Sequence, residues 1–295
     1  MPIITLSAEK MLRKEFVERA ILTKMKPQLY FLDIFPVVDL GGSTNFTHYI
    51  DDQNAEDDIQ KGVMSEPLEI SELSELTKID ISPINKVTGD TYQFGYAFEY
   101  SEAKLKENGF IDEVARAMDR MAYGMARKIN NDIFNIMDQY ATGNPITLND
   151  GSWDTSAQIN DDLIDLKYSF EDQTFQEYTL TDMYLNTNQI REANKFYKAL
   201  NGSFTTADTE DIELHNVKTA ITDGTAYCID RNVKPMTIYK NVNPKHSTLS
   251  NPISGLININ EYEQDKYPFK KGIEIWAEMG VGVKHSDAIL KQTGL

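Results

Sequence analysis

The chain has 295 residues, of which 41% are hydrophobic and 25% charged, so it is long enough to bury a sizeable core. It has 29 lysines and arginines against 46 acidic residues, and the resulting net charge of −17 disfavours free nucleic acid as a ligand. No apolar run is long enough to span a membrane, no secretory signal pattern is present, and the single cysteine, Cys228, excludes an internal disulfide. The composition predicts an acidic globular protein and does not indicate its function.

The N-terminal region predicts a short amphipathic helix. Leu12, Phe16 and Ala20 recur at four-residue spacing, and Pro27 ends the pattern because it cannot donate a backbone N–H. Between residues 9 and 26, six basic residues accompany three acidic ones. Nucleic acid and a membrane are alternative partners for such an arm, but the small excess of charge favours a helix that lies on a neighbouring acidic surface.

Residues 28 to 100 predict strands on either side of a long charged excursion. Residues 44–50 alternate, and residues 92–100 carry an aromatic ring at every second position, which indicates half-buried strands. Between them, residues 51–75 hold nine acidic side chains and one lysine. The ligand spacing of a calcium-binding loop is absent there. We therefore interpret this part of the chain as a long, solvated, charged hairpin.

The strongest local signal predicts a helix from Ile111 to Tyr140. Eight steps between apolar positions cover 29 residues, or 3.6 residues per step, which is the period of a straight α-helix. Asp112 and Glu113 lie in the first turn, where the helix dipole favours negative charge. The helix is about 45 Å long, and its period drifts from the strict heptad of a coiled coil. The predicted core face consists of Ile111, Ala115, Met118, Ala122, Met125, Ile129, Ile133, Ile136 and Tyr140.

The remainder of the chain predicts a compact α/β region. The Asn-, Ser- and Pro-rich stretch 241–259 predicts a loop. The predicted helices are 160–170 and 188–200, and the predicted strands are 178–185, 212–221, 225–229, 236–239 and 272–284.

Motifs that carry chemistry are largely missing from the sequence. The four histidines have no metal-ligand spacing, and no phosphate-binding glycine motif is present. His285, Ser286 and Asp287 have the residue types of a hydrolase triad, but consecutive residues cannot converge on one another. Cys228 lies in an apolar strand, where a buried, inert thiol is expected. The sequence therefore predicts no catalytic, cofactor-binding or metal-binding residues.

Three stretches, in their order along the chain, resemble a known family. The first is 98–143, a strand, a charged turn and a long helix with Tyr-Gly-Met-Ala at residues 123–126; the others are 217–231 and 273–295. Together they are similar to the major capsid proteins of tailed bacteriophages and related viruses, which have the Hong Kong 97 fold. The resemblance implies an α+β fold with an N-arm, an extended β-hairpin loop, a peripheral domain with a long spine helix and an α/β axial domain.

The resemblance also implies a division of the chain and a set of assembly residues. The spine helix face given above would serve assembly, and the extended loop would overlap a neighbouring subunit through residues that include Asp51, Glu56, Asp57, Asp58 and Lys61. Some relatives cross-link subunits through a lysine in this loop, but the partner of Lys61 cannot be matched. The implied regions are the N-arm 1–30, the extended-loop region 31–90, the peripheral domain 91–145, the axial domain 146–262 and the closing strands 263–295.

The function implied by this resemblance is structural rather than enzymatic. The chain would self-assemble into pentamers and hexamers of an icosahedral viral head, held in the virion and assembled in the host cytoplasm. Double-stranded DNA would be enclosed by confinement rather than by specific binding, with no membrane and no cofactor. We expect a separate scaffolding protein or unaided assembly, a portal and decoration proteins as partners. The alternatives are an encapsulin-type nanocompartment shell and, with less support, a cytosolic α+β enzyme.

Overall fold

A computed structural model describes residues 14–31, 34–50, 85–101, 110–143, 145–149, 151–153, 156–171, 178–199, 212–218, 220–241, 256–264 and 270–295. They form four α-helices, two 3₁₀ helices (Lys26–Gln28 and Ser286–Ala288) and twelve strands within these ranges. The helices are α1 (Lys14–Met25), α2 (Phe110–Tyr140), α3 (Ser156–Glu171) and α4 (Thr187–Ala199). The strands are β1 (Val37–Asp39), β2 (Asn45–Ile50), β3 (Asn85–Asp90), β4 (Tyr92–Ser101), β5 (Thr142–Gly143), β6 (Asp182–Leu185), β7 (Glu213–Asn216), β8 (Thr225–Ile229), β9 (Met236–Lys240), β10 (Asn258–Gln264), β11 (Lys270–Val283) and β12 (Ile289–Thr293).

The chain divides into two compact units, each with its own sheet. The first unit comprises residues 1–46, 88–135 and 237–282, and the second comprises 47–87, 136–236 and 283–295. Both units therefore combine early and late parts of the sequence. These two units do not test the predicted division into arm, loop, peripheral and axial regions, which stays a prediction.

The first unit is organised around the long strand β11. Strands β4 and β10 both pair with it in antiparallel register, Tyr92 opposite Met279 at one end of β4 and Ser101 opposite Lys270 at the other. Strand β9 is also its neighbour, and β1 runs parallel to β9. Alternate residues of β11 are buried, as expected for a strand with one face toward a core.

The second unit has a mixed five-stranded sheet in the order β5-β12-β8-β6-β7. Strands β6 and β8 are buried at every position, which is typical of strands covered on both faces. Its core also draws on α3 and on the segment before β6. The buried members of this core include Trp153, Ile159, Leu163, Leu166, Phe170, Tyr178, Leu180, Met183, Leu185, Ala226, Cys228 and Leu290.

Several predicted elements have shorter or displaced bounds in the structure. The predicted strand 178–185 is regular only from Asp182, and the predicted strand 212–221 only from Glu213 to Asn216. The predicted loop 241–259 is wrong at its end, because β10 begins at Asn258 with buried Leu256 and Ile257 before it. In these stretches, some buried apolar side chains lie on irregular backbone. The hydrophobic pattern of the sequence predicts their burial but does not show whether the backbone is a regular strand.

Candidate functional site

The long helix α2 buries a broad apolar face. Of the predicted core face, Met118, Ala122, Met125, Ile129 and Ile133 are buried, Ala115, Ile136 and Tyr140 are half-buried, and the side chain of Ile111 lies outside the described residues. The buried face is wider than the sequence indicated, because Val114, Met121, Ala126, Phe134 and Met137 are buried as well.

Helix α1 and the segment after it contact α2 within the first unit. Phe31 packs edge-on against Phe134 with ring centroids 4.9 Å apart, and the Asn130 side chain donates a hydrogen bond to the Gln28 carbonyl at 2.6 Å. Lys24 forms an ion pair with Asp119. Lys24 of α1 thus neutralises one acidic side chain of α2, and the expected acidic surface beneath this helix stays a prediction.

The aromatic strand β4 contacts the polar side of α2. The Tyr92 hydroxyl donates a hydrogen bond to Asp132 at 2.5 Å, and burial together with this bond raises the pKa of Tyr92. Lys128 bonds the same carboxylate and lies 5.5 Å above the Tyr92 ring, a cation–π contact. The Tyr96 ring lies so close to Gly124 that any Cβ there would collide with it. A larger residue at position 124 would therefore have to displace the Tyr96 ring.

Strands β2 and β3 pair as a two-stranded hairpin, and a stacked aromatic pair fixes its base within the first unit. The ring of Phe46 stacks on Tyr239 with centroids 4.2 Å apart and planes 15° from parallel. Gly89 and Gly280 flank the Phe46 ring, and a Cβ at either position would overlap it. The hairpin thus begins from a tightly packed point.

A carboxylate beside this base gathers three neutral donors. Glu278 accepts hydrogen bonds from Thr91 at 2.9 Å, Gln93 at 2.8 Å and Asn241 at 3.0 Å. Partial burial disfavours its charged form, but these bonds outweigh burial and lower the pKa of Glu278. Asn241 also donates to the Ser43 carbonyl, so the network joins the strands on both sides of the hairpin base.

The second unit contains a charged cluster that sequence reasoning missed. Asp182 is fully buried and contacts Arg231, with His215 Nε2 at 2.6 Å and the Thr181 hydroxyl at 2.8 Å. Burial opposes ionisation, yet the hydrogen bonds from His215, Arg231 and Thr181 prevail and lower the pKa of Asp182. The sequence indicated this cluster only through Glu213 and His215, two polar residues on one face of a strand. Their partners, Asp182 and Arg231, lie on other segments.

This cluster has the donor types of a metal site but the geometry of an ion-pair network. Ligand atoms of Asp182, Glu213 and His215 lie within 4.8 Å of one another. The Arg231 guanidinium, however, binds Asp182 and also contacts Glu213 at 2.6 Å. A cation would have to displace that guanidinium, so the arrangement fits a structural role in joining β6, β7 and the end of β8.

Comparison with known sequences and structures decides the family. The sequence pattern of the family described as phage capsid protein matches residues 85–292, from β3 through β12. The chain belongs to the phage capsid protein family. It is therefore a shell-forming structural protein of the virion, as the resemblance of its sequence indicated. None of the curated proteins compared matches the chain.

Solved structures of other shells share the fold of this phage capsid protein. A virus-like particle from Pyrococcus furiosus has a TM-score of 0.59 at 9% identity, covering 94% of this chain and 98% of that chain. The capsid of cyanophage P-SCSP1u has a TM-score of 0.59 at 10% identity, covering 90% and 88%. The SrpI encapsulin of Synechococcus elongatus PCC 7942 has a TM-score of 0.55 at 9% identity, covering 93% and 89%. The expected α+β fold of the Hong Kong 97 type is confirmed.

The predicted assembly residues of the capsid protein are not tested by the structure. Asp51, Glu56, Asp57, Asp58 and Lys61 of the extended loop lie outside the described residues, and the assembly role of both the loop and the α2 face stays a prediction. Among the described residues, no helix is both long enough and apolar enough to cross a membrane.

The lone cysteine lies where its sequence context predicted. Cys228 is fully buried in β8, and burial raises the pKa of its thiol to about 12. An un-ionised thiol without solvent access is a poor nucleophile, which fits a packing role.

Proposed function

We propose that this chain is the major head protein of a tailed phage, which assembles into pentamers and hexamers of an icosahedral shell around double-stranded DNA. The family match over residues 85–292 carries this proposal, since it includes the long helix and strands of both sheets. Rings of five and six subunits need contacts between different surfaces of neighbouring copies. The proposed role is structural, with no catalysis and no cofactor.

Each sequence feature has a proposed part in assembly. The buried face of α2 keeps the first unit rigid, because close-packed side chains leave little room for adjustment. The acidic loop that contains Asp51, Glu56, Asp57, Asp58 and Lys61 overlaps a neighbouring copy. The regions 1–30, 31–90, 91–145, 146–262 and 263–295 act as arm, extended-loop region, peripheral domain, axial domain and closing strands.

The proposed partners follow from the same role. A separate scaffolding protein, a portal and decoration proteins are the expected partners, and assembly takes place in the host cytoplasm before the shell becomes part of the virion. A second candidate function is the shell of an encapsulin-type nanocompartment. The fold similarity to the encapsulin of Synechococcus elongatus favours retaining it, although that similarity concerns the fold alone.

The test is electron microscopy of the purified full chain together with its contents. Closed shells that protect double-stranded DNA from nuclease support the proposed head protein. Shells that enclose protein and no protected DNA support the nanocompartment. A chain that remains monomeric when its genomic neighbours are co-expressed contradicts both.

The role of the loop has a test of its own. Deletion of residues 51–75 removes nine acidic side chains and one lysine. We expect the remaining chain to fold and to fail in assembly, and replacement of residues 51–75 by a Gly/Ser linker of equal length controls for chain connectivity. Closed shells from the deleted chain would contradict the proposed loop contact.

A further inference from the structure

An exposed stripe of positive charge runs along α2. Arg116, Arg120, Tyr123 and Arg127 are spaced four, three and four residues apart, and all four are exposed, Tyr123 to 56%. At 100° per residue, these positions fall within about 60° of one another around the helix. At 1.5 Å per residue, the stripe is about 16 Å long.

Among the described residues, the charge of this stripe is only partly offset by its surroundings. Residues 114–131 contain four basic side chains and one acidic side chain, in a chain whose net charge is −17. That acidic residue, Asp119, is paired with Lys24, and Lys128 is paired with Asp132. Within the described part of the chain, no ion pair or hydrogen bond engages the side chains of the three arginines. Asp112 and Glu113 are acidic neighbours in the first turn, and Glu113 lines the same cleft as Arg116 and Arg120, so it offsets part of their charge.

Aromatic rings border the stripe on the side of β4. A cleft of about 570 Å³ lies between the two elements, with Tyr96 and Phe98 on the strand and Met121, Arg116 and Arg120 on the helix. Tyr96 is 49% exposed and packs against Gly124, next to the exposed Tyr123. Aromatic faces of this kind stack on the free bases of single-stranded nucleic acid, whereas a duplex offers its phosphates to the guanidinium groups.

We propose that this arginine stripe contacts the phosphate backbone of the DNA enclosed by the shell. The inference rests on the proposed function. The sequence suggested that the shell holds DNA by confinement alone, and the inference adds a direct contact between protein and DNA. The helix rises about 6 Å from Arg116 to Arg120 and about 10.5 Å from Arg120 to Arg127. These intervals match two and three phosphate steps of one DNA strand, at about 3.4 Å each along the duplex axis.

The spacing favours DNA over an acidic peptide as the occupant. An acidic peptide would bind in the apolar cleft and contact Arg116 and Arg120 at its edge. It would not reach Arg127, which lies about 10.5 Å beyond Arg120 along the helix. A regular polyanion engages all three guanidinium groups. Because the rest of the chain is strongly acidic, a few such contacts would orient the DNA while the remaining surface repels it.

The experiment measures the salt dependence of duplex DNA binding by the unassembled full chain. Three contacts contribute about 2.7 to the slope of log K against log salt, or an affinity loss of about 40-fold between 50 and 200 mM salt. We expect R116Q/R120Q/R127Q to lower the slope by about 2.7 and to fold normally, since glutamine is a good helix former on an exposed face.

A matched control removes the same charge elsewhere. Arg191, Lys195 and Lys218 are exposed residues of the second unit, so R191Q/K195Q/K218Q lowers the net charge equally. We expect this variant to retain the slope of the unmodified chain. An equal change in both variants, an unchanged slope in the first, or the absence of DNA binding at 20 mM salt overturns the inference.

Three further outcomes separate this inference from its alternatives. A synthetic peptide of residues 66–76, acidic with interspersed leucines, tests the peptide reading. If the arginine substitutions abolish peptide binding and leave the DNA slope unchanged, the stripe is a peptide site and the inference is wrong. Particles that enclose DNA while the slope test fails leave the proposed head function standing. Particles that enclose only protein refute that function itself.

Discussion

Replacement of Met125 by aspartate tests whether the face of α2 is a true core. Met125 is fully buried. Loss of its packing costs about 2–5 kcal/mol, the range for a buried methionine reduced to alanine. A carboxyl group in this apolar setting must also stay protonated, which costs about 4 kcal/mol at pH 7 for a side chain with an ordinary pKa near 3.9. The sum of about 6–9 kcal/mol is comparable with the whole stability of a domain.

The same argument predicts a pH dependence with a definite sign. Burial raises the pKa of the introduced Asp in the folded state, so the unfolded chain releases its proton first and the penalty grows as pH rises. Urea unfolding of the unassembled chain, followed by circular dichroism, should show the penalty shrink by about 2 kcal/mol from pH 7 to pH 5.5. Met125→Leu should cost less than about 1.5 kcal/mol, and Asn135→Asp, at an exposed position of α2, should change little. An equal penalty at both pH values would refute the reasoning.

Three further predictions concern other packed groups. Gly280→Ala should destabilise the chain by about 1–3 kcal/mol in urea unfolding, because its Cβ overlaps a stacked ring; Gly143→Ala, in open space, is the control, and equal effects contradict the packing argument. Asp182→Asn should cost about 1–3 kcal/mol, because Arg231 loses its buried carboxylate but is 41% exposed and keeps Glu213 as a partner; a neutral result would mean that the cluster is not structural. Cys228, whose pKa is raised to about 12, should resist alkylation at pH 8 until urea unfolds the chain, and fast native labelling would contradict its burial.

The parts of the fold that the sequence revealed are those with a long local period. Helix α2 was predicted from Ile111 to Tyr140 and observed from Phe110, because nine apolar positions at 3.6-residue spacing leave little ambiguity. Short strands were less certain. Residues 212–221 read as one strand, yet only Glu213–Asn216 pair with β6, since pairing depends on a partner distant in sequence.

The side-chain clusters were beyond the reach of sequence patterns for the same reason. Asp182 lies 33 residues before His215 and 49 residues before Arg231, and only the sheet topology brings the three together. Similarly, the aromatic period of β4 predicted a half-buried strand, but not that Tyr96 would remain 49% exposed beside the arginines of α2. A period identifies the face of an element, whereas its neighbours decide what that face contacts.

The position of the last two strands has a consequence for synthesis on the ribosome. β11 is the strand on which β4 and β10 pair, and β12 lies between β5 and β8 in the other sheet. The first sheet therefore cannot close until translation has passed residue 283, and the second cannot close until translation has passed residue 293. Until then the nascent chain exposes unpaired strand edges, which favour aggregation. Prematurely terminated chains lack a strand inside a sheet, so only fully translated subunits would be competent to enter a growing shell.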